Sequence, residues 1–102
     1  MLRCIRRYEV IGREAVDANG EYVGKVADTL PADGGGEVEL LLVNVGRRFP
    51  RPRYLPVTGA RVEKDRIHLP MLRTAIDDAP SAEDARWAAP ADVARGYWVM
   101  NE

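Results

Sequence analysis

Turn-forming residues recur at short intervals between residues 13 and 70 and divide this part of the chain into brief apolar stretches. Asn19-Gly20 provides the positive φ that a tight hairpin requires, and Thr58-Gly59 and Lys64-Asp65 separate the later stretches. The stretches that fit strands are residues 14–16, 22–30, 37–45, 54–57, 61–63 and 66–69. Short strands at close spacing, with no long helical pattern between them, are typical of an all-β barrel or sandwich. Gly24, inside one of them, is typical of a kink or a close backbone approach.

The chain after Pro70 has a different character, rich in Ala, Pro and acidic residues. Ser81, followed three residues later by Asp84, predicts a helix N-terminus. A second short helix is predicted to begin at Pro90 and to end near Gly96. We therefore expect a short helical or irregular C-terminal tail.

Large aromatic residues in this tail contribute nothing to the strands that precede them. Both tryptophans, Trp87 and Trp98, lie there, and Tyr97 precedes the second. Such side chains need cover, so the tail either folds back over the β-domain or docks on a partner or a second subunit. We predict that Trp87, Tyr97 and Trp98 form this interface.

Charge and cysteine content narrow the class of protein. Fifteen Lys and Arg against 16 Asp and Glu give a net charge of −1, so no global field attracts nucleic acid or membrane. No apolar run reaches the roughly 18 residues of a membrane helix, and the N-terminus MLRCIRRYEV does not fit a signal peptide. Cys4 has no second cysteine with which to form an internal disulfide, which fits a reducing cytoplasm. We expect a cytoplasmic protein without membrane insertion.

The order of several motifs resembles one family. VIGREAVDANGEYVGKVADTL, residues 10–30, resembles the opening of a PRC-barrel domain. The positions that carry the likeness are Gly12, Val16-Asp17, Gly20 and Val23-Gly24-Lys25-Val26, followed by Tyr54-Leu55-Pro56-Val57, Ile67 to Pro70, and Ala79-Pro80. They span about residues 8–80, most of the chain.

The resemblance implies a mainly β fold, a small and strongly bent antiparallel β-barrel of about six strands. The barrel would occupy residues 8–80, and residues 81–102 would form the tail. Such barrels occur in the photosynthetic reaction-centre H subunit, in the C-terminal part of a ribosome-maturation factor and in many small stand-alone proteins. The shared positions are turn glycines and core apolar residues, so they imply architecture and not chemistry.

Catalytic and ligand-binding groups are sparse. The chain has one histidine, His68, one cysteine, Cys4, and one serine, Ser81, and they fall in a strand, the N-terminus and the tail. A nucleophilic triad or a Cys/His metal site would need more such groups. His68 alternates with apolar neighbours and is expected to be an exposed strand residue. Asp17 and Glu21, at the hairpin turn, are expected to be solvated. We expect no enzyme activity, no cofactor, no metal and no small-molecule substrate.

The remaining candidate site is NVGRRFPRPRYLP, residues 44–56. The candidate binding residues in this arginine loop are Arg47, Arg48, Phe49, Arg51, Arg53 and Tyr54. Three interpretations are open: a solvated or salt-bridged bend, a clamp for an acidic protein partner, and a phosphate-binding loop whose rings stack on unpaired RNA bases. The bend is favoured first, the protein clamp second and nucleic acid last, because the basic footprint is only local.

We therefore predict a non-enzymatic interaction or assembly module that binds a protein partner or itself, as a homo-oligomer such as a homodimer. The arginine loop is expected to meet carboxylates from residues 77–92 or from a partner. The alternative is an RNA- or ribosome-associated domain that uses residues 47–53.

Overall fold

A computed structural model describes residues 6–31, 38–83 and 89–100. The strands are β1 Glu14–Val16, β2 Tyr22–Pro31, β3 Val38–Val45, β4 Arg51–Pro56, β5 Arg61–Glu63 and β6 Arg66–His68. The helices are α1 Arg7–Val10, α2 Arg73–Asp77 and α3 Pro90–Met100. The predicted mainly β fold with six strands is confirmed.

One twisted sheet holds all six strands in the order β4-β3-β2-β1-β6-β5. Strands β1 to β4 form an antiparallel meander, and β5 and β6 form a hairpin. The hairpin joins the meander through a parallel pairing of β1 with β6, which differs from the predicted antiparallel arrangement. Parallel neighbours need a long connection, and the chain from β2 to β5 supplies it. Across residues 6–31, 38–83 and 89–100, no ladder joins the edge strands β4 and β5, so hydrogen bonds do not close the sheet into a cylinder.

The long β2–β3 ladder contains a close backbone approach at Gly24. A Cβ built there would lie 2.0 Å from the carbonyl oxygen of Asn44, so no larger residue fits without moving the backbone. Further along β2, the register shifts between Val26 and Asp28. A bulge of this kind bends a strand sharply. Gly24 therefore allows β2 and β3 to approach closely, and the register shift marks the place where β2 is expected to bend.

The core combines the concave face of the sheet with the helices. Its members are Val10, Ala15, Val23, Val26, Val38, Leu41, Val43, Val45, Leu55, Ile67, Leu69, Ile76, Ala79, Ala94 and Trp98. The interior is hydrocarbon, as expected of a single small domain. Ile76 comes from α2, and Ala94 and Trp98 come from α3, so the C-terminal helix is part of the same core as the strands.

The C-terminal tail differs in detail from the prediction. Helix α3 does not end near Gly96 but continues to Met100, because Trp98 beyond the glycine is anchored in the core. Ser81 forms an isolated antiparallel bridge with Arg53. The helix predicted to follow Ser81 falls largely on residues 84–88, which lie outside the described residues, as does Trp87.

Candidate functional site

The hairpin between β3 and β4 presents the candidate binding residues. Its last ladder pair is Val45 with Arg51, which leaves residues 46–50 as the connection. Gly46 adopts φ 111° and its N–H donates to the carbonyl oxygen of Val23 at 2.9 Å, which ties the base of the connection to β2. The predicted arginine loop is therefore shorter than expected, because Arg51 and Arg53 belong to β4.

The prolines of this segment are compatible with a strand because β4 lies at the edge of the sheet. The carbonyl oxygen of Pro52 accepts a hydrogen bond from the N–H of Ala82 at 2.8 Å, so the backbone of Pro52 faces away from β3. A proline costs nothing to the ladder at such a position, since its missing N–H would also point outward.

Exposure divides the candidate residues into two groups. Arg47, Arg48, Phe49 and Arg51 are exposed, and the Phe49 side chain is 82% accessible. We call these four residues the arginine tip. Arg53 and Tyr54 are half-buried further along β4 and do not belong to it. In the described part of the chain, none of the three tip arginines forms an ion pair.

Arg47 is held by an aromatic ring that the sequence did not indicate. Its guanidinium lies 4.1 Å from the centroid of the Tyr22 ring, within the range of a cation–π interaction. Tyr22 is itself fixed, because its carbonyl oxygen accepts a hydrogen bond from Nη1 of Arg73 at 2.8 Å. Arg73 in turn pairs with Asp77 at 2.9 Å. The backbone of β2 at Tyr22 is thus hydrogen-bonded to the first residue of α2.

Arg53 lies in a more enclosed and mixed electrostatic environment. Burial lowers the pKa of the Arg53 guanidinium, and the neighbouring Asp77 carboxylate opposes that shift. Asp78 acts in the same direction as Asp77. Asp77, at the end of α2, and the following Asp78 therefore offset the positive charge of Arg53.

Tyr97 and Trp98, the two tail aromatics that the structure describes, pack within the chain. Trp98 is 5% exposed, and its indole N–H donates to the carbonyl oxygen of Tyr54 at 2.7 Å. The Tyr97 hydroxyl donates to the carbonyl oxygen of Ala75 at 2.6 Å, and burial raises the pKa of Tyr97. The two rings meet edge to face with centroids 4.9 Å apart. Trp98 therefore covers its own β4, and an interface between Tyr97 or Trp98 and another chain stays a prediction.

A shallow cleft of about 230 Å³ lies by the turns that follow β1 and β4. His68 borders it, half-buried, with Nε2 3.6 Å from a carboxylate oxygen of Glu63. Asp17 also borders it but is only 2% exposed, so the expectation of a solvated Asp17 is wrong.

Backbone N–H groups hold the Asp17 carboxylate. Oδ1 accepts from Asn19 and Glu21 at 2.8 and 2.9 Å, and Oδ2 accepts from Arg73 at 3.1 Å. The Asp-Ala-Asn-Gly sequence was a usable signal for the first of these bonds, because aspartate at a turn commonly bonds the backbone two residues on. The bond from Arg73 depends on the tertiary fold.

The part of the chain that the structure describes contains no group of three or more His, Cys, Asp or Glu residues arranged to hold a metal ion. It also contains no helix with the length and hydropathy needed to cross a membrane.

Comparison with known proteins agrees with the architecture. The family model of the PRC-barrel domain matches residues 5–73, which is more than half of the chain. No curated protein matches it significantly. The matched region contains all six strands and the arginine tip, while α3 lies beyond it. On this match and on the bent six-stranded sheet, the chain belongs to the PRC-barrel family.

Proposed function

We propose that this protein is a non-enzymatic interaction and assembly module that binds an acidic segment of a partner protein through the arginine tip and also associates with itself. The observation that carries the proposal is the 82% exposure of Phe49 among three exposed arginines without ion-pair partners in the described residues. PRC-barrel domains often mediate protein interactions, which supports the same class of function. The single cysteine supports a reducing, cytoplasmic setting.

The residue types at the tip suit protein recognition. Aromatic residues and arginine are enriched among the residues that contribute most to binding energy at protein interfaces. Arginine forms paired hydrogen bonds with carboxylates. Phe49 would supply an apolar anchor, and Arg48 and Arg51 on either side of it would pair with acidic side chains of the bound segment.

The tip is also partly pre-organised. Arg47 rests on the Tyr22 ring, Gly46 is bonded to Val23, and Pro50 restricts the backbone next to Phe49. Groups that are already ordered lose less conformational entropy on binding. This supports a recognition surface over a freely moving basic bend.

The charge distribution favours an acidic protein segment over RNA. A nucleic-acid strand needs a continuous basic path along its phosphates. Here Asp77 and Asp78 lie close to Arg53, so the basic surface is interrupted within a few residues of the tip. The net charge of −1 gives no wider attraction for a polyanion.

Among the residues that the structure describes, the environments of Asp17 and His68 favour a binding role over catalysis. Both carboxylate oxygens of Asp17 accept backbone hydrogen bonds, and His68 has Glu63 beside it, with no serine or cysteine among the residues that border the cleft. This supports a binding role without catalysis.

Affinity purification from the native cells tests the proposal. The bait is the full chain, as wild type and as two variants that each lose three positive charges: one with Arg47, Arg48 and Arg51→Gln, and one with Arg6, Lys64 and Arg66→Gln at exposed positions elsewhere. We expect a discrete protein partner whose recovery falls at least about tenfold with the tip variant only. Equal recovery with both variants would contradict the assignment to the tip. Loss of the partner on nuclease treatment would favour the RNA alternative.

A further inference from the structure

The two edge strands of the sheet, β4 and β5, differ in whether their outward backbone groups are hydrogen-bonded. At the β4 edge, the carbonyl oxygens of Pro52 and Tyr54 accept hydrogen bonds from Ala82 and Trp98 at 2.8 and 2.7 Å. At the β5 edge, within the described residues, the outward backbone groups of Val62 have no such partner. The tail covers the first edge, and no residue of the described ranges hydrogen-bonds to Val62 at the second.

The register of the β5–β6 hairpin fixes which groups are open. Lys64 and Asp65 form a two-residue turn, and the pairs Glu63 with Arg66 and Arg61 with His68 flank it. In such a hairpin the two residues of each of these pairs donate a backbone hydrogen bond to each other. Val62, which lies between Arg61 and Glu63, makes no such bonds with Ile67 opposite it. The N–H and C=O of Val62 therefore point away from β6.

The side chains beside Val62 have opposite charges. Arg61 and Glu63 are both exposed, and they contact each other at 2.7 Å. If a second copy of β5 pairs antiparallel about Val62, Arg61 of each copy faces Glu63 of the other. Opposite charges placed directly across a strand pair are stabilising, and two-fold symmetry produces this match twice.

We propose that two copies of this chain associate edge to edge through β5, with Val62 opposite Val62 of the second copy, so that the two sheets become continuous. The proposal rests on the self-association in the proposed function but not on the arginine tip. The backbone N–H of each Val62 donates to the carbonyl oxygen of the other. The intrachain ion pair of Arg61 with Glu63 is replaced by two such pairs across the interface.

Charge is commonly used to prevent edge pairing, but the pattern here differs from that use. A protected edge carries a proline, a bulge or charges that repel a second copy. β5 contains neither proline nor a bulge, and its alternation of positive and negative charge is self-complementary. The contacts of Glu63 with Arg61 and His68 are exposed surface pairs, which contribute little and are easily exchanged. Because β5 has three residues, we expect a dimer that dissociates on dilution.

Sedimentation equilibrium of the full chain over a wide range of concentration tests the pairing. Arg61→Glu and Glu63→Arg each place like charges across the two-fold axis, so each variant alone is expected to raise the dimer dissociation constant at least about tenfold. An equimolar mixture of the two variants restores opposite charges in the heterodimer and is expected to recover wild-type association. Contacts within one chain cannot produce this recovery on mixing.

Val62→Pro provides a backbone test. It removes an N–H that has no partner within the described chain, so the circular dichroism spectrum should be retained while association is lost. Dimers that persist in Val62→Pro and in both charge variants would overturn the β5 interface and leave self-association standing. A wild-type chain that is monomeric at all concentrations would overturn both, without affecting partner binding at the tip.

Discussion

The indole N–H of Trp98 donates a hydrogen bond to the backbone carbonyl of Tyr54 at 2.7 Å. This bond joins the C-terminal helix to the edge strand that leads out of the arginine tip. It satisfies an outward carbonyl of β4 and at the same time buries the largest side chain of the helix. The tail therefore completes the fold of the domain, and the tip extends from a strand that is held on both sides.

Trp98→Phe tests this connection, because it keeps a ring in the core but removes the donor. The Tyr54 carbonyl would lose its partner, and we expect the free energy of unfolding to fall by about 2 kcal/mol in urea denaturation. Met100→Ala is the matched control, since Met100 is 84% exposed on the same helix and its change should stay within about 0.5 kcal/mol. Equal effects of the two substitutions would contradict the role given to Trp98.

Asp17→Asn tests the buried carboxylate that ties the first turn to α2. The amide nitrogen cannot accept a hydrogen bond, so one set of backbone donors, either at the turn or at Arg73, loses its acceptor. We expect a loss of about 1–3 kcal/mol in the free energy of unfolding. Glu21→Gln, at an exposed neighbouring position, should leave stability unchanged. A stable Asp17→Asn variant would show that the carboxylate is dispensable.

Alanine at two glycine positions is expected to change the stability of the protein in opposite directions, because one glycine is tightly packed and the other lies on an open helix surface. Gly24→Ala forces a Cβ against the Asn44 carbonyl, and we expect destabilisation of about 3 kcal/mol or more. Gly96→Ala meets open space on α3, where alanine favours the helix, and should stabilise the protein by about 0.5–1 kcal/mol. Thermal unfolding of both variants measures the contrast. A Gly24→Ala variant as stable as the wild type would contradict the packing described for β2 and β3, and a destabilised Gly96→Ala variant would contradict the open space described on α3.

The burial of Tyr97 predicts that the protein loses stability at alkaline pH. Burial raises its pKa above the ordinary 10.0, since the neutral phenol is favoured in the folded state. The stability that it provides is therefore complete below pH 10.0 and is lost as the pH rises through the raised folded value. Ultraviolet titration should show one tyrosine that ionises late, and this phase should be absent in Tyr97→Phe. A late phase that survives the substitution would belong to another tyrosine.

Local sequence chemistry was sufficient to predict most of the sheet. Gly20 and Gly59 adopt the positive φ of turns, and the strands at residues 14–16 and 61–63 lie where the pattern put them. The extension of α3 beyond Gly96 was not predictable, because it depends on the hydrogen bond from Trp98 to the Tyr54 carbonyl of β4. The parallel pairing of β1 with β6 likewise depends on tertiary structure.

The candidate site was predictable as a segment but not in its geometry. The sequence identified the tip residues, yet it could not show that Arg47 rests on Tyr22, which precedes it by many residues. It also treated Arg53 as part of the loop, whereas β4 places it beside Asp77. The expectation of a solvated Asp17 was wrong for the same reason, since one of its backbone donors, the N–H of Arg73, is 56 residues away.

Site-specific photocrosslinking in the native cells tests the central claim most directly. Phe49 is replaced by a benzophenone amino acid, and Tyr8, which is 78% exposed on α1, is replaced in the same way as the control. We expect protease-sensitive adducts to a discrete protein with an acidic segment from position 49 and none from position 8. Adducts that are equal at the two positions, absent at position 49, or removed by nuclease would contradict it.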